Sequence, residues 1–121
     1  MTRLNWKAGI ATVMGAIAVL GSAGLAQAQS RMDWLSSGES VTYEGYLFTD
    51  ENVYGICDDN CSDLDIYLYD AGSGELVSSD TLVDNLPIVT APYEGNFLIQ
   101  VVMVDCLASA CETATDSDTG F

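Results

Sequence analysis

Ser62-Asp63-Leu64-Asp65-Ile66-Tyr67-Leu68-Tyr69-Asp70 decides how this chain folds. Leu64, Ile66 and Leu68 alternate with Asp65, Tyr67 and Tyr69. A two-residue period of this kind puts branched aliphatic side chains on one face of a strand and polar or aromatic ones on the other. The run ends at Asp70-Ala71-Gly72-Ser73-Gly74, whose glycines suit a hairpin turn, and Glu75 to Ser78 reads as the return strand.

The same period continues on both sides. Val41, Tyr43, Gly45 and Leu47 alternate with Thr42, Glu44, Tyr46 and Phe48, and Val53 to Cys57 and Ile88-Val89-Thr90 are short strand candidates. Ala91-Pro92-Tyr93-Glu94-Gly95 is a turn. Asn96 to Val104 follows as the longest strand, apolar on both faces, which predicts a central position covered on both sides. Met32-Asp33-Trp34-Leu35 is read as one helical turn within a lead-in from 29 to 38, ahead of a domain from 39 to 121. No stretch after residue 28 sustains a helical period. The fold class expected is therefore all-β, an antiparallel sandwich or barrel.

Ahead of this lies an address. Arg3 and Lys7 precede an uncharged run from Ala8 to Leu20, Gly21-Ser22-Ala23-Gly24 breaks it, and Ala26-Gln27-Ala28 places small residues where a signal peptidase reads them. The expectation is a signal peptide over 1–28, cleaved after Ala28, and a secreted or periplasmic protein. The competing reading is a permanent membrane anchor, for which the run is barely long enough. Cleavage leaves 93 of the 121 residues. A domain of that size buries only about 60–65% of its unfolded surface.

Charge narrows the function further. Eighteen Asp and Glu face three Lys and Arg with no His, a formal net charge of −15, and Arg31 is the only base beyond residue 28. Such a field repels phosphate backbones and anionic headgroups, so nucleic acid and, after signal cleavage, membrane are excluded as partners. Without His or a Lys past residue 7, no serine has a general base, and small sandwiches rarely supply the cleft that glycoside hydrolysis needs. The protein is read as no enzyme.

Cys57, Cys61, Cys106 and Cys111 form an even set, read as two disulfides in an oxidising compartment. Spacing favours Cys57–Cys61 and Cys106–Cys111, worth roughly 2 kcal/mol each on the chain-entropy model. Crossed pairs closing about 50 residues would contribute roughly 4 kcal/mol each, so they stay open. The lack of His argues against zinc.

Around the deciding strand, short motifs resemble the bacterial pre-peptidase C-terminal domain: the Ser62–Asp70 stretch itself, Gly74-Glu75-Leu76-Val77, and Ala91-Pro92-Tyr93-Glu94-Gly95-Asn96-Phe97-Leu98-Ile99-Gln100-Val101, opened by Gly38-Glu39-Ser40-Val41-Thr42. The likeness spans about Gly38 to Val104. It implies a jelly-roll-like β-sandwich on an exported, non-catalytic accessory or binding module for a surface, a glycan or a protein. It also implies that calcium binding is within the fold's range, with no cofactor required. Here the domain stands without a peptidase, and the family's closing G-x-Y-x-L-x-V strand is missing, leaving either a lost strand or an improvised ending from Cys111.

Two sets of residues carry candidate chemistry. Six of the sixteen residues from Asp50 to Asp65 are acidic, and Asp58, Asp59, Asp63 and Asp65 are candidate Ca²⁺ ligands, since calcium takes six to eight oxygens. Asp63 at the sixth loop position and Tyr69 at the twelfth exclude a regular EF-hand, and the plainer alternative is a solvated acidic surface. Tyr67 and Tyr69, with Tyr46, are a candidate flat binding face for an extracellular protein or glycan; otherwise they pack the sandwich. The alternative function is an acidic structural or solubility protein with no specific ligand.

Overall fold

The computed structural model describes residues 31–121; the signal peptide expected over 1–28 lies outside them. Eight strands form in chain order: β1 (Arg31–Leu35), β2 (Ser40–Leu47), β3 (Asn52–Cys57), β4 (Cys61–Asp70), β5 (Leu76–Asp80), β6 (Ile88–Thr90), β7 (Gly95–Cys106) and β8 (Cys111–Ser117). They pair antiparallel in two four-stranded sheets, β1-β8-β3-β6 and β2-β7-β4-β5. The first strand pairs with the last, the second with the seventh, and the fourth with the fifth, while the third pairs with the sixth. One long antiparallel ribbon rolled onto itself has this nesting, which is the jelly roll.

The deciding strand behaves as its period requires. Leu64, Ile66 and Leu68 of β4 are fully buried and meet Phe97, Ile99, Val101 and Met103 of β7 on the inner face of their sheet. Leu47, Val53, Val89 and Leu35 complete the layer between the sheets.

Both disulfides are local, Cys57–Cys61 and Cys106–Cys111, which closes the question of crossed pairing. Each does more than staple a loop. The first joins β3 of one sheet to β4 of the other, and the second joins β7 to β8. Cys61 and Cys106 are register partners, so both links clamp the two sheets at the same end of the sandwich.

Two local expectations are corrected and one open alternative is decided. Met32–Leu35 is not a helical turn but part of β1, held in register against β8 from Arg31↔Thr115 to Leu35↔Cys111. Backbone pairing to a neighbouring strand overrides what a five-residue stretch prefers alone. The second face of β7 is not covered as expected: Leu98, Gln100 and Val102 are half-buried and Val104 is exposed, because among the described residues no layer lies outside that sheet. The segment from Cys111 is a full strand, β8, central between β1 and β3.

Candidate functional site

β1 carries its apolar pattern inside out, and β8 beside it turns neutral hydroxyls inward. In β1 the charged Arg31 and Asp33 are half-buried with Leu35 below them, whereas Met32 and Trp34 are 58% and 62% exposed. In β8 the inward positions are Thr113, Thr115 and Ser117, and the outward ones are Glu112, Ala114 and Asp116. A register slip of one residue would turn Met32 and Trp34 inward, so side-chain burial alone opposes this arrangement.

Polar pairing holds it. Tyr43 Oη donates to Asp33 Oδ2 at 2.5 Å, and Thr113 Oγ1 donates to the Asp33 carbonyl at 3.2 Å. Arg31 donates to the Phe121 carbonyl and lies 4.3 Å above the Phe121 ring, which sits edge-on to Tyr43. Burial, reinforced by the hydrogen bond to Asp33, pushes the Tyr43 phenol well above its ordinary range, so it stays a donor. The inward charges are thus paired, which removes most of the cost of placing them there.

Among the described residues nothing covers the resulting apolar face on the β1-β8-β3-β6 sheet. Met32, Ala114 and Ile56 are register partners across β1, β8 and β3, and Tyr54 stands beside Ile88 of β6. Ala114 is the low floor between the taller Met32 and Ile56. Two adjoining depressions of about 200 Å³ each result, sharing Ile56 and Ala114. Glu112 and Asp58 border the first, and Asp116 the second.

The tyrosines singled out in the sequence lie on the opposite side of the molecule. Tyr46, Tyr67 and Tyr69 share the outer face of the β2-β7-β4-β5 sheet, but not as one exposed platform. Tyr67 and Tyr69 are half-buried, and Tyr69 Oη donates to Gln100 Oε1 at 3.3 Å. Tyr46 is two strands away from them, its ring edge-on to Phe48 and its hydroxyl donating to Glu94 Oε2 at 2.5 Å. A shallow recess of about 260 Å³ lies between Thr42, Tyr69, Gly74, Leu98 and Gln100.

The four candidate metal residues are divided. Asp58 closes the β3–β4 turn, where Asn60 N donates to its Oδ1 at 3.0 Å and Glu112 N to its Oδ2 at 2.9 Å, and Asp59 is exposed at the tip. Asp63 and Asp65 are buried in β4, 9% and 8% exposed, and the Oδ1 of each has no hydrogen-bond partner. Burial, joined by the charges of Asp63, Asp80 and Asp84, raises the pKa of Asp65. Two orphaned oxygens are far short of a calcium shell, and among the described residues no three acidic or other ligating side chains converge.

This pair has a stability consequence. Asp65→Asn removes a buried like charge, so it is expected to stabilise the protein by about 1 kcal/mol at pH 7. The folded pKa of Asp65 is raised, so its protonated form is favoured in the fold. Its contribution is full below the unfolded value and is lost as pH rises through the folded one. The gain from Asp65→Asn should therefore shrink toward pH 4. Thermal melting in a chelator at both pH values checks this; a lower melting temperature for the variant at pH 7 refutes it.

Fold and site together define a two-sheet antiparallel jelly roll with one apolar sheet face turned to solvent. No family model and no curated protein matches the chain. Among solved structures it is similar to PliG of Aeromonas hydrophila, a periplasmic lysozyme inhibitor of g-type lysozyme. The two share 15% identity over 75% of this chain and 88% of that one, with a TM-score of 0.47.

The apolar face was missed in the sequence because Met32 and Trp34 were read as part of a helical turn. The available signal is the alternation Arg31-Met32-Asp33-Trp34, charged and apolar at period two.

Proposed function

We propose that this protein is an exported, non-catalytic binding module that meets a protein partner through the outer face of the β1-β8-β3-β6 sheet. One observation carries the reading: β1 holds Arg31 and Asp33 inward, at the cost of a built polar network, while Met32 and Trp34 stand in solvent. Contiguous apolar surface of this kind, bordered by acidic groups, is typical of interaction sites. Export is supported by the N-terminal address and by two disulfides in a chain with no free cysteine. The lack of any His or Lys beside the hydroxyls of this domain supports a non-catalytic role. The motifs resembling the pre-peptidase C-terminal domain point the same way.

The test uses two positions of equal chemistry on opposite faces. A photo-crosslinking benzoylphenylalanine replaces Tyr54 in one variant and Tyr69 in another, both produced in their native cell. Discrete protein adducts are expected from position 54 and not from 69. Adducts from 69 alone, equal labelling from both, or none from 54 overturns the reading.

A further inference from the structure

Resting on that reading, we infer that the partner offers a cationic side chain beside an apolar one, the first taken by Trp34, Glu112 and Asp58 and the second seated over Ala114. Two adjacent rows of the face carry this assignment. Trp34 of β1 is the register partner of Glu112 of β8, and Asp58 receives the Glu112 amide from the other side at 2.9 Å. One row along, Met32, Ala114 and Ile56 line up across the same three strands. Two residues of strand separate the rows, about 7 Å.

The first row suits a guanidinium or ammonium group. An exposed indole offers its negative face to a cation, and two carboxylates alongside add charge-assisted hydrogen bonding. Asp58 spends one lone pair on each of two backbone amides and has further lone pairs for another donor. Half-buried Glu112 borders the depression directly. The second row suits an aliphatic side chain, because Ala114 leaves a floor lower than its Met32 and Ile56 walls. An extended segment with a basic residue and an aliphatic residue two apart places both side chains on one face at the required spacing.

Charge selects the occupant. A second copy of the chain brings another net charge of −15 to a surface already bordered by carboxylates, so self-association is opposed at long range. A cationic protein is drawn to it by the same field.

Three end-blocked pentapeptides test this by amide NMR shifts of the protein: Thr-Arg-Thr-Ile-Thr, Thr-Gln-Thr-Ile-Thr and Thr-Glu-Thr-Ile-Thr. The arginine peptide is expected to move the signals of residues 32–34, 54–58 and 112–114. Its binding should weaken several-fold in Glu112→Gln and again in Trp34→Leu, and as salt rises from 0.05 to 0.5 M. The glutamate peptide should leave this face unmoved. If the glutamine peptide binds the face as well as the arginine one, the cation assignment is overturned and the docking face stands. Arginine-peptide shifts scattered over other acidic loops and unchanged by both variants overturn it too, as does the absence of any shift here with all three. In that last case the crosslinking at Tyr54 judges the docking face on its own. Concentration-dependent dimerisation abolished by Ile56→Glu would give the face to a second copy and overturn the proposal.

Discussion

Glu51→Ala is expected to destabilise the protein by about 3 kcal/mol at pH 7, on the scale of several buried donors losing an ionised acceptor. Glu51 is only 4% exposed and stands in the turn from β2 to β3. Its carboxylate accepts from Phe48 N at 2.8 Å, Ser117 Oγ at 2.6 Å, Thr119 Oγ1 at 2.6 Å and Thr119 N at 3.2 Å. One side chain therefore fastens the β2–β3 inter-sheet turn to the end of β8 and the segment after it. Alanine leaves the Ser117 and Thr119 donors facing each other with no acceptor. For a domain this small, about 3 kcal/mol corresponds to a melting temperature lower by roughly 12–24 °C.

The acid side of the stability curve gives a second reading of the same group. Burial alone pushes the Glu51 carboxyl upward, but the hydroxyl and amide donors together outweigh it and hold the folded value below the ordinary one. A depressed folded pKa contributes stability that is present above the unfolded value, about 4.3, and is lost as pH falls through the folded one. Glu51→Gln should therefore lose less stability than the parent between pH 5 and pH 3. Urea unfolding at both pH values measures this. An alanine variant within about 0.5 kcal/mol of the parent would show that the clasp contributes nothing beyond an ordinary surface change.

Phe97→Ala is expected to cost about 3–5 kcal/mol, enough to leave much of the protein unfolded at moderate temperature. Phe97 is fully buried on the inner face of β7, its ring 5.3 Å from that of Tyr93. It lies opposite Gly45 of β2 and Asp70 of β4, at the end of the sandwich remote from the disulfides. Neither neighbour on its own sheet can fill the space: one has no side chain and the other is a carboxylate tied to the Tyr93 hydroxyl at 2.5 Å. A cavity that its sheet neighbours do not fill carries a cost beyond the lost transfer of the ring. Phe97→Leu, which keeps most of the volume, should cost no more than about 1.5 kcal/mol. Urea unfolding with an unchanged slope is the measurement, and equal losses in the two variants would remove the cavity argument.

The sequence and the structure agree most closely where one face of a strand is aliphatic. Leu64, Ile66 and Leu68 could only be buried, and β4 follows from them with its hairpin at Gly72–Gly74. Spacing favours the local disulfides without excluding crossed ones, and the structure has the local pairs. What spacing did not show is that each one crosses between sheets, because that depends on how β3, β4, β7 and β8 are distributed. Glu51 was legible only as one acid among six near Asp58, since its donors Ser117 and Thr119 lie 66 and 68 residues away. The tyrosines of β4 were correctly placed on a shared outward face, but their half-burial depends on neighbours in β7.

By itself, the amino-acid order determined the strand period, the class of fold, the acidic field and the lack of His, because each of these is set by residue type or by contacts a few positions apart. Only the tertiary structure decided which way β1 turns. Its alternation alone favours burying Met32 and Trp34, and the opposite choice belongs to Tyr43 and Phe121, which reach Asp33 and Arg31 from elsewhere in the fold. That choice leaves Trp34 and Met32 in water, and with them the surface on which the proposed function rests.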